Sequence, residues 1–205
     1  MDSWHATVEG DDDADLCTSC GRSLTDDLTG ALDRRTWDAL ASQELAEARR
    51  QRRPVALIIL DLDRFKGIND VYGHPAGDEV LRAVAALLRD ASGEAALVGR
   101  YGRYAGDEFL ILLPHTHVKG ALATARRIQE GIRALRIRAR TARSATVTIT
   151  DQTASIGVAA HCSIDLFMSD LSDLVLEADG ALRRAKRNGR NQIGVAHSGS
   201  PRATP

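Results

Sequence analysis

Asp107 and Glu108 stand side by side in the run Arg103-Tyr-Ala-Gly-Asp-Glu-Phe109, directly after the small pair Ala105-Gly106. A tight turn of small residues lets backbone approach a phosphate closely, and two adjacent acids at its end can hold a divalent metal against that phosphate. The same pair at a solvated hairpin tip would do no chemistry, so the reading depends on what accompanies it. Asp61 follows Ile58-Ile59-Leu60, and an acid at the mouth of a buried strand needs a partner or a metal to stay charged. Asp63 lies two residues further on the same strand face, where a supporting, a helix-capping and a catalytic role are all open. At Arg64 and Phe65 the chain leaves the strand for a helix, and backbone N–H groups there suit a phosphate, with Lys66 adding a point charge. Lys186 and Arg190 stand on either side of a helix end at Asn188-Gly189. Favourable contact with a helix C-terminus would by itself account for two such cations.

The elements that must position these residues alternate in period. Trp37, Leu40, Ala41, Leu45 and Ala48 recur at helical spacing until Pro54 ends that helix ahead of the apolar strand Val55 to Leu60. A second helix fits Glu79 to Leu88, and strands at about 96 to 102 and 109 to 113 flank the Ala-Gly turn as a hairpin. Val118, Leu122, Ala125, Ile128, Ile132 and Leu135 mark a third helix. Thr146 to Thr150 and Ala154 to Ala159 read as strands. Leu171, Leu174, Val175, Ala178, Leu182 and Ala185 make a fourth helix, closed by Asn188-Gly189, and Gln192 to Ala196 is the last strand. Interleaved helices and strands around an antiparallel hairpin predict an α/β (α+β) fold, a single mixed central sheet flanked by helices.

With 205 residues, 43% hydrophobic and 27% charged, the chain has the composition of one soluble domain with a substantial core. No apolar run approaches the length of a membrane span and the first residues are acidic, so a cytoplasmic protein with no membrane partner is expected. Residues 1 to 27 carry eight acids and one arginine, which leaves the rest near +6. That excess suits a nucleotide, but it reads as spread along helices without interleaved aromatics, so no nucleic-acid partner is expected. Residues 1 to 24 read as an acidic, flexible leader, and 197 to 205 as a Ser/Pro/Gly-rich flexible tail. Cys17-Thr-Ser-Cys20 is half of a four-thiolate Zn²⁺ site; closure across a dimer, a redox dithiol and no metal at all are the alternatives.

Taken in order, Asp27-Leu-Thr-Gly-Ala-Leu-Asp-Arg-Arg35, the stretch Leu57 to Asp78, Ala105 to Phe109, Thr153-Ala-Ser-Ile-Gly157 and Ala178 to Asn191 resemble the GGDEF family, the diguanylate cyclases, over residues 25 to 196. The resemblance implies a nucleotide-cyclase or palm-like architecture and condensation of two GTP into cyclic di-GMP by a homodimer. It further implies that Asp61, the carbonyl of Leu62 and Asp107 share Mg²⁺ (or Mn²⁺). Glu108 assists as a metal contact or takes up the 3′-hydroxyl proton, Lys66 acts in catalysis, and Lys186 and Arg190 contact the β- and γ-phosphates. Arg64, Phe65, Ala105 and Gly106 approach the phosphates with backbone, and Asn69 and Asp78 read the base. An Asp accepts from both N1–H and the exocyclic amine of guanine but meets an acceptor at N1 of adenine, so Asp78 selects GTP; a further reading makes Asp78 the N-cap of its helix. The chain departs from the family at Ala105, where glycine is usual, and at Ala96 and Gly99, where an Arg-x-x-Asp product-inhibition motif would stand.

Overall fold

The computed structural model describes residues 23–101, 106–142, 145–161 and 170–196. Cys17, Cys20, Ala105, Cys162 and the tail lie outside the described residues, and so do the expectations that rest on them. The elements run α1 (Arg34–Gln51), β1 (Val55–Leu62), α2 (Phe65–Tyr72), α3 (His74–Ser92), β2 (Leu97–Arg100), β3 (Glu108–Pro114), α4 (Val118–Ala134), β4 (Ile137–Arg140), β5 (Thr146–Ile149), β6 (Ala154–His161), α5 (Leu171–Arg187) and β7 (Ile193–Val195).

Five strands form the mixed sheet expected from the alternation of periods, in the order β2-β3-β1-β6-β7. The central strand β1 is antiparallel to β3 and to β6, and only β7 joins in parallel. Both faces of β1 are covered, which is why Val55 to Leu60 is an unbroken apolar run, every residue of it buried. Ala56, Ile58, Leu60 and Leu62 point into the core under α2, α3 and α4, while Val55, Leu57 and Ile59 pack with Trp37, Leu45, Leu174, Ala178 and Leu182 under α1 and α5. Trp37 is fully buried, and its Nε1 donates to the Leu97 carbonyl at 2.9 Å, which locks α1 to β2. Gly99 on β2 lies flat against the Trp37 ring, where a Cβ would collide with the indole.

Two expectations need correction. The strand at 146 to 150 is not part of the main sheet; it pairs antiparallel with β4 in a separate two-stranded ribbon. β4 escaped the periodicity because Ile137-Arg-Ala-Arg140 is only four residues long and half arginine. The helix placed at Glu79 starts at His74, because Gly73 at φ 88° turns the chain and Pro75 sits in the first turn. Asp78 therefore lies inside α3, and Gly73, not Asp78, is its N-cap.

Gly157 on β6 marks the closest approach of sheet and helix, since a Cβ there would run into the Ala178 carbonyl and the Leu182 amide of α5. Gly157→Ala is expected to push α5 outward and to cost about 1–3 kcal/mol of stability, read as a lowered urea midpoint with an unchanged slope.

Candidate active site

Asp61, half-buried near the end of β1, stands opposite Glu108, its direct partner across the antiparallel ladder. One residue on, the Leu62 N–H donates to the Asp107 carbonyl at 3.2 Å, so both acids of the turn are tied to the end of β1. Residues opposite each other in a ladder point to the same face, and this face is the one under α5. From α5 comes Lys186, whose Nζ lies 2.6 Å from Asp61 Oδ2, with the two side chains 34% and 20% exposed. Burial pushes the Asp61 carboxyl up, against the opposing pull of Lys186, and the charges of Asp107 and Asp63 add to the rise. Burial also raises Glu108, helped by Asp61, Asp179 and Asp107 and opposed by Lys186.

Asp61 and Glu108, each raised in part by neighbouring carboxylates, concentrate negative potential at the end of β1, which a divalent cation would relieve. Among the described residues no three acidic, imidazole or thiolate side chains converge as a complete ligand set. The donors present suit a hard cation that takes one or two carboxylates and draws further oxygens from backbone and substrate phosphates.

Asp63 does not cap α2. Its Oδ1 accepts from Ser155 Oγ at 2.7 Å, and its Oδ2 accepts from Thr153 Oγ1 at 2.8 Å and from the Asn191 N–H at 2.9 Å. One carboxylate thus pins β6 and the loop after α5 to the end of β1. In that loop Gly189, Arg190 and Asn191 all take positive φ, so the Asn191 bond fixes a strained turn that holds Arg190 in place.

Arg64 takes a left-handed conformation (φ 57°) as N-cap of α2, and no side chain caps that helix. Its terminal N–H groups therefore remain available to an anion. Phe65 is buried beneath them, and Lys66 is exposed beside them. On the next turn Asn69 faces α3 where Gly77 leaves room: a Cβ at 77 would overlap Asn69 Oδ1. That oxygen is buried and has no hydrogen-bond donor, and Asp78, half-buried, is the residue next to Gly77. An unmet buried acceptor is costly, and a ligand N–H would satisfy it.

Sequence reasoning missed the link behind the turn. Arg100 donates from Nε to the Gly106 carbonyl and from Nη1 to Asp26 Oδ1, both at 2.8 Å. Asp26 Oδ1 also accepts from Thr29 N and Oγ1. Burial raises the Asp26 carboxyl, but these hydrogen bonds and the Arg100 charge outweigh it and hold it below its ordinary value. A lone arginine closing an otherwise apolar strand was the available signal. Tyr101 makes a second link, accepting Arg34 over its ring at 4.6 Å and donating its hydroxyl to Asp38 at 2.7 Å, while its N–H donates to the Glu108 carbonyl.

A protein-family model described as "Diguanylate cyclase, GGDEF domain" matches residues 23–192. The chain is 34% identical over 174 residues to the probable diguanylate cyclase DgcC of Escherichia coli (strain K12), covering 85% of this chain and 43% of that protein. It is 36% identical over 168 residues to diguanylate cyclase DosC of the same strain, covering 82% and 34%. The chain thus spans less than half the length of these curated relatives. Among solved structures it is similar to the GGDEF domain of DgcB from Caulobacter crescentus in complex with c-di-GMP, at TM-score 0.76 and 29% identity, covering 86% of this chain and 98% of that one. Similarity to diguanylate cyclase SiaD from Pseudomonas aeruginosa, in complex with its activator SiaC, gives TM-score 0.74 and 35% identity, covering 85% and 62%.

Because the folded state raises the Asp61 and Glu108 carboxyls above their ordinary values of 3.8 and 4.5, their contribution to stability is fully present below those values. It is lost as pH rises through the raised ones. In metal-free buffer the urea midpoint is therefore expected to fall from mildly acidic to neutral pH, and Asp61→Asn is expected to flatten that fall while keeping the fold.

Proposed function

The chain belongs to the GGDEF-domain family of diguanylate cyclases, and on that premise we propose that it condenses two GTP molecules into cyclic di-GMP with release of two pyrophosphates. The observation that carries the proposal is the meeting of Asp61, Glu108 and Lys186 at the end of β1, with an unsatisfied Asn69 carbonyl beside Asp78 in the helices that follow. Asp61, the Leu62 carbonyl, Asp107 and Glu108 would hold Mg²⁺ or Mn²⁺. Bound there, the ion neutralises the α-phosphate and lowers the pKa of the attacking hydroxyl.

The chain's own residues supply the rest. Asn69 and Asp78 receive guanine, and the uncapped start of α2 at Arg64 and Phe65, with the backbone of Ala105 and Gly106, cradles phosphate. Lys186 pairs with Asp61, and once Asp61 is otherwise neutralised its ammonium is free to join Lys66 and Arg190 on the leaving pyrophosphate. Glu108, whose carboxyl burial raises, suits the role of base for the 3′-hydroxyl proton. One domain holds one GTP and the product contains two guanylates, so two chains must meet with their sites opposed. Feedback is proposed to be weak, since Ala96 and Gly99 carry no group to bind product and Gly99 has no room for a side chain against Trp37.

A second reading, a domain that binds GTP without turning it over, rests on Ala105. Ala105 adds a methyl where the family has glycine, and it would cost about 1 kcal/mol if φ there must be positive. Incubation of the purified chain with GTP and Mg²⁺, with the product identified by mass, separates the two: cyclic di-GMP supports the enzyme, and bound GTP without product supports the second reading. Asp107→Ala is expected to cut turnover to about 1% or less with the fold retained; undiminished turnover would overturn the site.

Base choice provides an independent check. GTP is expected to be used well ahead of ATP, and Asp78→Ser should narrow the ratio of their kcat/KM values by about tenfold or more. Equal use of ATP by the unaltered chain would remove Asp78 from the base-reading role.

A further inference from the structure

The net positive charge of the domain, read above as spread along helices, is concentrated in one stretch of the chain. Residues 118 to 150 carry eight basic side chains and one acid, a balance of +7 that equals in size the negative balance of residues 1 to 27. Much of it lies on or beside the β4–β5 ribbon. Ile137, Ala139 and Ile149 turn inward to the core, and Arg138 and Arg140 turn outward opposite Thr148 and Thr146. Arg133 and Arg136 are exposed just before the ribbon, and none of these four arginines has an ion-pair partner among the described residues. Charges on a short exposed ribbon guard its edges against pairing with other strands, but either sign serves that purpose. Here every exposed charge on both strands is positive.

We propose that the acidic leader, residues 1–22, docks on this arginine ribbon of the same chain. The leader holds six acids in its first 15 residues and one arginine. It joins the domain at Ser23, next to a turn whose Thr29 carbonyl accepts from Arg89 of α3, and α3 is the helix on which β4 packs. Twenty-two residues reach about 70 Å when extended, and the whole of α3 is about 28 Å long, so the ribbon is within reach from either end of that helix. Several arginines facing several carboxylates attract one another at low ionic strength and are screened by salt. At its tip the ribbon meets the α2–α3 junction, where the Ala142 N–H donates to the Tyr72 carbonyl, so a docked leader lies close to the helices that carry Asn69 and Asp78.

The test uses the full chain with a nitroxide on Cys17 and with Cys20→Ser and Cys162→Ser. Backbone amides of residues 137–140 and 146–149 are expected to broaden at low salt. The broadening should disappear at about 0.5 M salt and in Arg138→Glu/Arg140→Glu, whose unchanged amide shifts elsewhere report an intact fold. A mixture of spin-labelled and isotope-labelled molecules should show none. Absence of broadening, broadening indifferent to salt and charge reversal, or broadening in the mixture would each overturn docking within one chain. If the ribbon amides ignore the leader but shift with poly(U) or with vesicles of anionic lipid, the surface serves another polyanion and the proposal falls.

Discussion

A carboxylate at the end of a strand covered on both faces cannot stay ionised alone, and Asp61 meets that constraint through the ammonium of Lys186 at 2.6 Å. The pairing dictates much of the architecture. β1 must be central so that its end is sheltered, and α5 must lie close enough for its last turn to reach that end. Gly157, Ala178 and Leu182 provide the approach, because only a residue without a side chain lets α5 settle so deeply on β6. A helix held by small residues along its length delivers a cation with little freedom at its tip. The partial exposure of both groups leaves the pair accessible to the ligand proposed for this site.

A second set of contacts fixes the turn that carries Asp107 and Glu108. Arg100 holds the Gly106 carbonyl with one nitrogen and Asp26 with another, which makes the turn's position depend on the entry segment that precedes α1. Tyr101 repeats the pattern from the other side, through Asp38 and Arg34 of α1. The chain thus enters the domain against the back of the residues proposed to do the chemistry, and a displacement of that entry is transmitted by hydrogen bonds to Gly106 within one side chain's length.

The fold was legible wherever burial was complete. Val55 to Leu60 announced a doubly covered strand, and α1, α4 and α5 followed from apolar residues at helical spacing. β4 was not legible, since Ile137 and Ala139 are too few to set a period against Arg138 and Arg140, and without β4 the strand at 146 to 150 was assigned to the wrong sheet. The start of α3 was missed because Gly73 and Pro75, which set it, read equally well as a loop. That Asp61, Asp107 and Glu108 come together at the end of β1 was legible from residue type and order; that Lys186 pairs with Asp61 was not. Asp26 and Arg100 were not, because their partners are 74 residues apart in the chain and only the folded sheet brings them together. Asp63 shows a related limit: supporting, capping and catalytic roles were all open from its type and position, and only the fold supplies the three donors that make it a clamp.

The two halves of the site lie on opposite layers of the sheet. Asp61 and Glu108 face α5, whereas Asn69 and Asp78 belong to α2 and α3 on the other side. A ligand that engages both must cross the end of β1, passing the uncapped start of α2 on its way. In the proposed reaction, base and metal-binding phosphate would then be read by different layers. Asp63 fastens the end of β1 to β6 and to the Arg190 loop at that crossing, where the layers would otherwise shift against each other, and its carboxylate accepts three hydrogen bonds in doing so.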